Sequence, residues 1–446
     1  MDEKKDYWWR DSIEFSARTH VGMRRRTNQD SYCVAPAKDR EEWKSRGHFF
    51  LVADGMGAHV AGELASKMAA TIVPEAYLRR ANQPTREALR DAVFDAHLEI
   101  RKRGEEEAEY RDMGTTCDAL AVTPEGAYVA HVGDSRVYRA RDAEIEQLTF
   151  DHSLAWEVKY YPTSHSAFRQ IDVIPKNIIT RSLGPTESLV VDAEGPVDVR
   201  SGDVFLLCSD GLSGRVNDSE LGQLLELLSP NDATEALVNL ANLRGGPDNV
   251  TAIVVRVKDW DGAASSRAAS RPRRSASPSR MRVAVARSLA ALSALGGAVA
   301  LLAGTGNWKH VGAALLAGSC FAAFVGIFGG RRRETPGSTP PDAEKDARRG
   351  PYARASAIPS EEFANKMAEL CDQLCETVKK EPRYEPDWDG VERALALAQK
   401  AREEKDYGSA IRGCVSVVNY MMREVQKFAN AHRSTTHSRA QTLDAR

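Results

Sequence analysis

The sequence predicts an α+β chain, and three features carry that prediction. Short apolar runs in the first 258 residues stop at acidic glycine turns, two uncharged apolar stretches follow, and amphipathic helical periods close the chain. The first run, Phe49–Ala53, enters Asp54-Gly55; another far downstream, Val204–Ser209, enters Asp210-Gly211. A buried strand that stops at a carboxylate sets that charge at the lip of its sheet. The glycine after it lets the backbone turn and come close to whatever the carboxylate holds. Two further acidic turns share the design. Gly133-Asp134-Ser135-Arg136 separates Tyr128–Val132 from Val137-Tyr138, and Gly245–Asn249 leads into Val250–Val255.

Gathered by one fold, these carboxylates repel one another unless cations lie between them. Clustered Asp without Cys or His suits a hard, oxygen-loving ion such as Mg²⁺ or Mn²⁺. Taken singly, an Asp-Gly after a strand is far more often a plain turn than a metal ligand. The order of the whole set changes that weighting. Arg25-Arg26-Thr27-Asn28-Gln29-Asp30 comes first, then Asp54-Gly55-Met56-Gly57-Ala58-His59, Met113-Gly114-Thr115-Thr116 and Gly133-Asp134-Ser135-Arg136. Thr180–Gly184, Ser209-Asp210-Gly211 and Pro247-Asp248-Asn249 complete it. Over about residues 15–258 this succession closely resembles the metal-dependent Ser/Thr phosphatases of the protein phosphatase 2C family, in their bacterial form.

The resemblance implies a central β-sandwich flanked by helices on both sides, with a two-metal site at one end of the sheets. It implies that Asp54 bridges both ions and the Gly55 carbonyl binds one, while Asp210 and Asp248 complete the other shell. Asp30 then works mainly through a coordinated water, and Asp134 matches the carboxylate of a third, looser ion. Arg25 stands where the family binds phosphate, with Arg24 and Arg26 adjacent, and His59 stands near the leaving group as candidate general acid. The implied cofactors are two Mn or Mg ions with a weak third. The implied reaction is hydrolysis of phosphoserine or phosphothreonine in proteins by water activated between two metals. Arg suits such a site because its planar fork matches two phosphate oxygens.

Plainer readings stand beside these. Asp30 also reads as a structural hydrogen-bond acceptor, His59 as a solvated loop residue, and Thr115 and Thr116 as the start of a strand. Cys33, Cys117 and Cys208 lack the phosphate-cradling loop of a Cys-dependent phosphatase, and Cys208 reads as core. Many family members carry another Asp four residues after the Asp210 equivalent. Gly214 stands there instead, which weakens the third site or else marks a turn with positive φ. The stretch from Asp151 to Lys176 occupies the place of a mobile flap. A catalytically silent phosphate-sensing scaffold of the same fold is the alternative, and the retained Asp54, Asp210 and Asp248 weigh against it.

A chain of 446 residues holds such a domain and further units. Net charge of −2 exerts no pull towards nucleic acid, and no basic stripe with interleaved aromatics appears in the catalytic part. Seven scattered cysteines, an odd number, fit a reducing compartment. The charged start, Met1–Asp6, predicts no cleavable signal peptide.

After Lys258 the composition shifts. Residues 259–287 read as a basic Ala/Ser/Arg linker, and residues 288–330 as a two-helix transmembrane hairpin of two uncharged stretches. Arg280, Arg282 and Arg287 precede the pair and Arg331–Arg333 follow it, while Trp308 lies in the nearly uncharged turn. That is the positive-inside pattern, with both ends on the cytoplasmic side of a bacterial membrane. The competing reading is a buried helical hairpin. Residues 331–358 read as a second linker, and 359–432 as a helical module that binds a partner or dimerises. Phe363, Met367, Leu370, Leu374 and Val378 share one face of its first helix; Ile411, Cys414, Val418, Met422 and Val425 share one face of its last. Residues 394–411 resemble a single tetratricopeptide helix pair. The expected role is a membrane-anchored phosphatase opposing a Ser/Thr kinase.

Overall fold

Successive side chains of a strand point to opposite faces, so a strand that is apolar throughout must be covered on both. In the computed structural model, which describes residues 8–57, 60–160, 178–260, 353–381 and 384–443, this is how the central strands are used. The elements run α1 (Trp8–Asp11), β1 (Ile13–His20), β2 (Asp30–Ala35), α2 (Arg40–Ser45), β3 (His48–Met56), α3 (Val60–Arg79) and α4 (Thr85–Glu106). Next come β4 (Gly114–Thr115), β5 (Cys117–Thr123), β6 (Gly126–Val132), β7 (Arg136–Arg141), β8 (Glu144–Gln147), α5 (Leu154–Tyr160) and β9 (Asp192–Val197). Then follow β10 (Val204–Cys208), α6 (Asp210–Ser213), α7 (Asp218–Leu227), α8 (Pro230–Leu243) and β11 (Val250–Val257). After the excursion come β12 (Arg354–Ser356), α9 (Glu361–Lys379), α10 (Trp388–Glu403) and α11 (Tyr407–Leu443).

Two antiparallel sheets result, one in the order β1-β11-β10-β7-β8-β12 and one in the order β2-β3-β5-β6-β9, with β4 added beside β3. Alternation sorts each strand between two cores. Phe50 and Val52 of β3 meet Phe205, Leu207, Ile253 and Val255 of the other sheet in the layer between them. Phe49, Leu51 and Ala53 turn outwards onto α3 and α4, against Val73, Tyr77 and Leu89. Leu206, Cys208 and Val254 turn the opposite way, onto Leu221, Leu224 and Leu237 of α7 and α8. Full burial of such side chains contributes roughly 1.5–3 kcal/mol each. The expected sandwich with helices on both sides is therefore the observed arrangement.

The C-terminal part differs from the expectation. Residues 331–358 are not linker throughout, because Arg354–Ser356 forms β12 and pairs antiparallel with β8. Glu146 anchors it by accepting from Arg354 at 2.6 and 3.0 Å. An otherwise open sheet edge is thereby covered. Nor does the helical module stand apart. Phe363, Met367, Cys371, Ile411 and Val418 join the same core as Leu206, Leu221 and Leu237. Asn419 Oδ1 accepts from Asn239 on α8 at 3.0 Å, and Arg423 pairs with Glu235 at 3.2 Å. Residues 394–411 fall within a single α10–α11 helix pair. An amphipathic pattern shows which face is buried but not against what, and here the partner is the catalytic layer itself.

The expected hairpin at 288–330 lies outside the described residues. Among the described residues, no helix is long and apolar enough to cross a membrane.

Candidate active site

Four acids predicted as ligands arrive from both sheets. Asp30 opens β2 and is the register partner of Asp54 on β3. Asp210 follows β10 as the first residue of α6, and Asp248 lies two residues before β11, the strand beside β10. Asp54 and Asp210 come from different sheets, yet each carboxyl group acts on the proton affinity of the other.

The local backbone explains how this is held. β3 does not stop at Asp54 but continues through Gly55-Met56, which pair with Thr115-Gly114. Thr115 and Thr116 do more than begin a strand: Thr115 Oγ1 donates to the Asp54 carbonyl at 2.9 Å, and Asp54 N donates to Thr116 Oγ1 at 2.9 Å. The glycines after the two acids serve close approach rather than a turn. A Cβ on Gly55 would lie 2.0 Å from the Gly62 carbonyl oxygen, and one on Gly211 would lie 1.9 Å from that of Asn249. Each Asp-Gly pair is thus pressed onto another segment's backbone, which fixes where its carboxylate stands.

The electrostatics are those of crowded acids. Burial, and then the neighbouring carboxylates, raise the pKa of Asp54 well above the ordinary value and also raise that of Asp210. Burial lifts Asp30 to about 7, although its Oδ2 accepts from Thr251 Oγ1 at 2.7 Å and Ser209 Oγ at 2.8 Å. Asp134, in the β6–β7 turn, is lifted to about 7 by burial and then by Asp210. The Oδ1 atoms of Asp30 and Asp134 are buried and have no hydrogen-bond partner. Orphaned carboxylate oxygens, in a set that holds protons against its ordinary acidity, fit a place for cations. Among the described residues no three such side chains enclose one point. Acids distributed over two sheets, rather than a closed cage, suit hard ions that keep several waters.

Arg25, not Arg24 or Arg26, reaches the acids, donating to Asp248 Oδ2 at 2.8 Å. Its side chain remains 49% exposed, so the rest of its fork is open to a ligand. Asn249, beside Asp248 in the Pro247-Asp248-Asn249 motif, holds this loop. Its Nδ2 donates to the carbonyls of Val21 (2.9 Å) and Thr27 (3.0 Å), and its Oδ1 accepts from Gln29 N (2.8 Å). A second support went unread in the sequence. His131 Nδ1 meets Asp118 Oδ1 at 2.7 Å, and His152 receives Gly133 N on Nδ1 at 3.1 Å while meeting Asp192 on Nε2 at 3.0 Å. Burial opposes charging of His131, but Asp118 outweighs it and raises the imidazole to about 9. These residues brace the Gly133-Asp134 turn from behind. Only the fold brings Asp118, His152 and Asp192 together.

Several expectations fall elsewhere. His59 lies outside the described residues, as does most of the expected flap. The flap's first residues are ordered structure: Asp151 pairs with Arg136 at 2.7 Å, and α5 follows. Gly214 has φ −75°, so the positive-φ turn is excluded; it caps α6, its N–H donating to the Asp210 carbonyl at 2.8 Å. Cys208 is core, and all cysteines among the described residues are free thiols.

The family model for protein phosphatase 2C matches residues 24–242. Protein phosphatase PhpP of Streptococcus pneumoniae is 37% identical over 259 residues, covering 56% of this chain and 99% of that protein. The serine/threonine phosphatase stp of Listeria monocytogenes is 33% identical over 244 residues, covering 53% and 93%. The solved catalytic domain of the serine/threonine protein phosphatase PstP, in complex with two manganese ions, is 30% identical with a TM-score of 0.46, covering 55% of this chain and 99% of that one.

Proposed function

The chain belongs to the protein phosphatase 2C family and is a protein serine/threonine phosphatase; we propose that it depends on manganese or magnesium and that Asp54, Gly55, Asp210 and Asp248 hold its two ions. The observation that carries this reading is the convergence of Asp54 and Asp210 from opposite sheets, each with a proton affinity raised first by burial and then by neighbouring carboxylates, Asp30 and Asp210 for Asp54 and Asp248 for Asp210. Two bound ions would lower the pKa of water between them and offset charge on the phosphoryl oxygens.

The chain's own residues do the rest. Asp30 keeps Oδ2 engaged by Ser209 and Thr251, while its buried Oδ1 has no hydrogen-bond partner and remains available as an acceptor. Arg25 is steadied by Asp248 through one N–H and offers the others to the phosphoryl oxygens. Asp134 takes a third ion, weakly, because Gly214 supplies no carboxylate beside it. His59 is the candidate proton donor to the leaving alkoxide on its sequence position alone. The substrates are phosphoserine and phosphothreonine proteins, products of a Ser/Thr kinase. The silent-scaffold alternative leaves the crowding of four acids without purpose.

The anchor remains part of the proposal: residues 288–330 form a membrane hairpin, with the catalytic part and C-terminus in the cytoplasm. The described residues on either side of this segment, up to 260 and from 353 onward, share one core and one sheet. The segment between them therefore leaves and returns to one body, which favours an even number of crossings. The full chain should release phosphate from a phosphothreonine peptide with manganese and stop with EDTA; no manganese-dependent turnover would favour the scaffold. It should also resist carbonate extraction from membranes, and release by salt alone would remove the anchor.

A further inference from the structure

A cleft of about 500 Å³ opens between the catalytic layers and α9, a helix beyond the stretch that the family model matches. One wall is the Gly214–Asn217 segment that leaves α6, the helix Asp210 begins; the other carries Lys366, Glu369 and Gln373 of α9. Gly214 N donates to the Asp210 carbonyl, so the cleft starts one helical turn from a proposed metal ligand. A turn is about 5 Å, and an extended chain advances about 3.3 Å per residue. A peptide whose phosphorylated residue sits over the acids therefore reaches this cleft with residues roughly two to four positions away.

The cleft is lined by three cations, Arg215, Arg244 and Lys366, against two carboxylates, Glu220 and Glu369. Glu220 is 3% exposed and serves two of the cations, accepting from Arg244 at 2.5 and 3.1 Å and lying 3.6 Å from Lys366. Lys366 also pairs with Glu362 at 2.7 Å. Arg215 is exposed, and among the described residues its guanidinium has no hydrogen bond or ion pair. It is the cation left to face a ligand. We propose that this cleft binds an acidic residue flanking the phosphoserine or phosphothreonine of the substrate, with Arg215 as its counter-charge and α9 as a specificity wall. The proposal rests on the phosphatase reading and adds a substrate preference to it.

The test compares kcat/KM of the full chain with manganese on three substrates. These are p-nitrophenyl phosphate, a phosphothreonine peptide flanked by alanines, and the same peptide with glutamates two to four residues from the phosphothreonine. Arg215→Glu should lower kcat/KM roughly tenfold for the Glu-flanked peptide only, the scale of one charge-assisted hydrogen bond. Glu369→Lys, on the opposite wall, should raise it several-fold for that peptide. Equal effects of Arg215→Glu on both peptides, or unchanged preference in both variants, would overturn the cleft assignment. Failure of the unaltered chain to turn over p-nitrophenyl phosphate would instead overturn the phosphatase reading beneath it.

Discussion

Asp30 and Asp54 face each other directly across the β2–β3 ladder, and burial gives both a raised affinity for protons. Like charges directly opposite on a sheet are destabilising. Here the pairing is tolerated because Ser209 and Thr251 donate to Asp30 from the other sheet, and because a cation can replace the shared protons.

That substitution sets a pH dependence. Asp30 and Asp134 hold protons up to about 7 when folded, against 3.8 ordinarily. Without metal, the stability these groups contribute is full below 3.8 and declines as pH rises towards about 7, because the folded state binds more protons there. In EDTA the melting temperature should fall across that window, and manganese should restore it most near its upper end. A manganese effect equal at about pH 5 and pH 8 would contradict the assignment.

Loss of a ligand charge should exceed loss of a supporting bond. Asp54→Asn and Asp210→Asn should each reduce turnover by more than the roughly 10–100-fold typical of outer-sphere changes. Thr251→Val, which removes one donor to Asp30, should fall within that range and appear as a higher manganese requirement. Manganese titrations of activity, at equal folded fraction, separate the two classes.

Gly214 has ordinary helical φ, so an Asp there is not strained by backbone conformation. Its Cβ would stand 2.9 Å from the Asp210 carbonyl oxygen, a contact that a small shift must relieve. On the proposal of a weak third ion at Asp134, Gly214→Asp adds a carboxylate one helical turn from Asp210 and should move manganese activation to lower concentration. An unmoved titration would mean that the position serves only the cap.

The helices after β12 are part of the catalytic body, which makes them part of its stability. Phe363 is 2% exposed in the core that also holds Leu221 and Leu237. Phe363→Ala should cost about 3–5 kcal/mol. In urea, loss of manganese-dependent activity and loss of helicity should shift together. Two separate transitions would mean an autonomous module.

The strands and the acids can be read from the order of residues alone. Runs such as Val204–Cys208 are apolar throughout because both faces of the sheet are covered, and that pattern is legible without coordinates. The ordered Asp-containing turns carried the family and the metal chemistry. Tertiary structure alone decided the rest. Thr116, Asn249 and Ser209 act through bonds to distant segments, and such bonds have no local period to betray them. Gly55 and Gly211 looked like turn residues but are spacers between backbones, since a close approach is a property of two segments and not of one. The docking of α9–α11 was hidden for the same reason. Amphipathicity names the buried face, while the choice between a partner, a second copy and the chain's own catalytic layer depends on which apolar surface lies within reach once the sheets have closed.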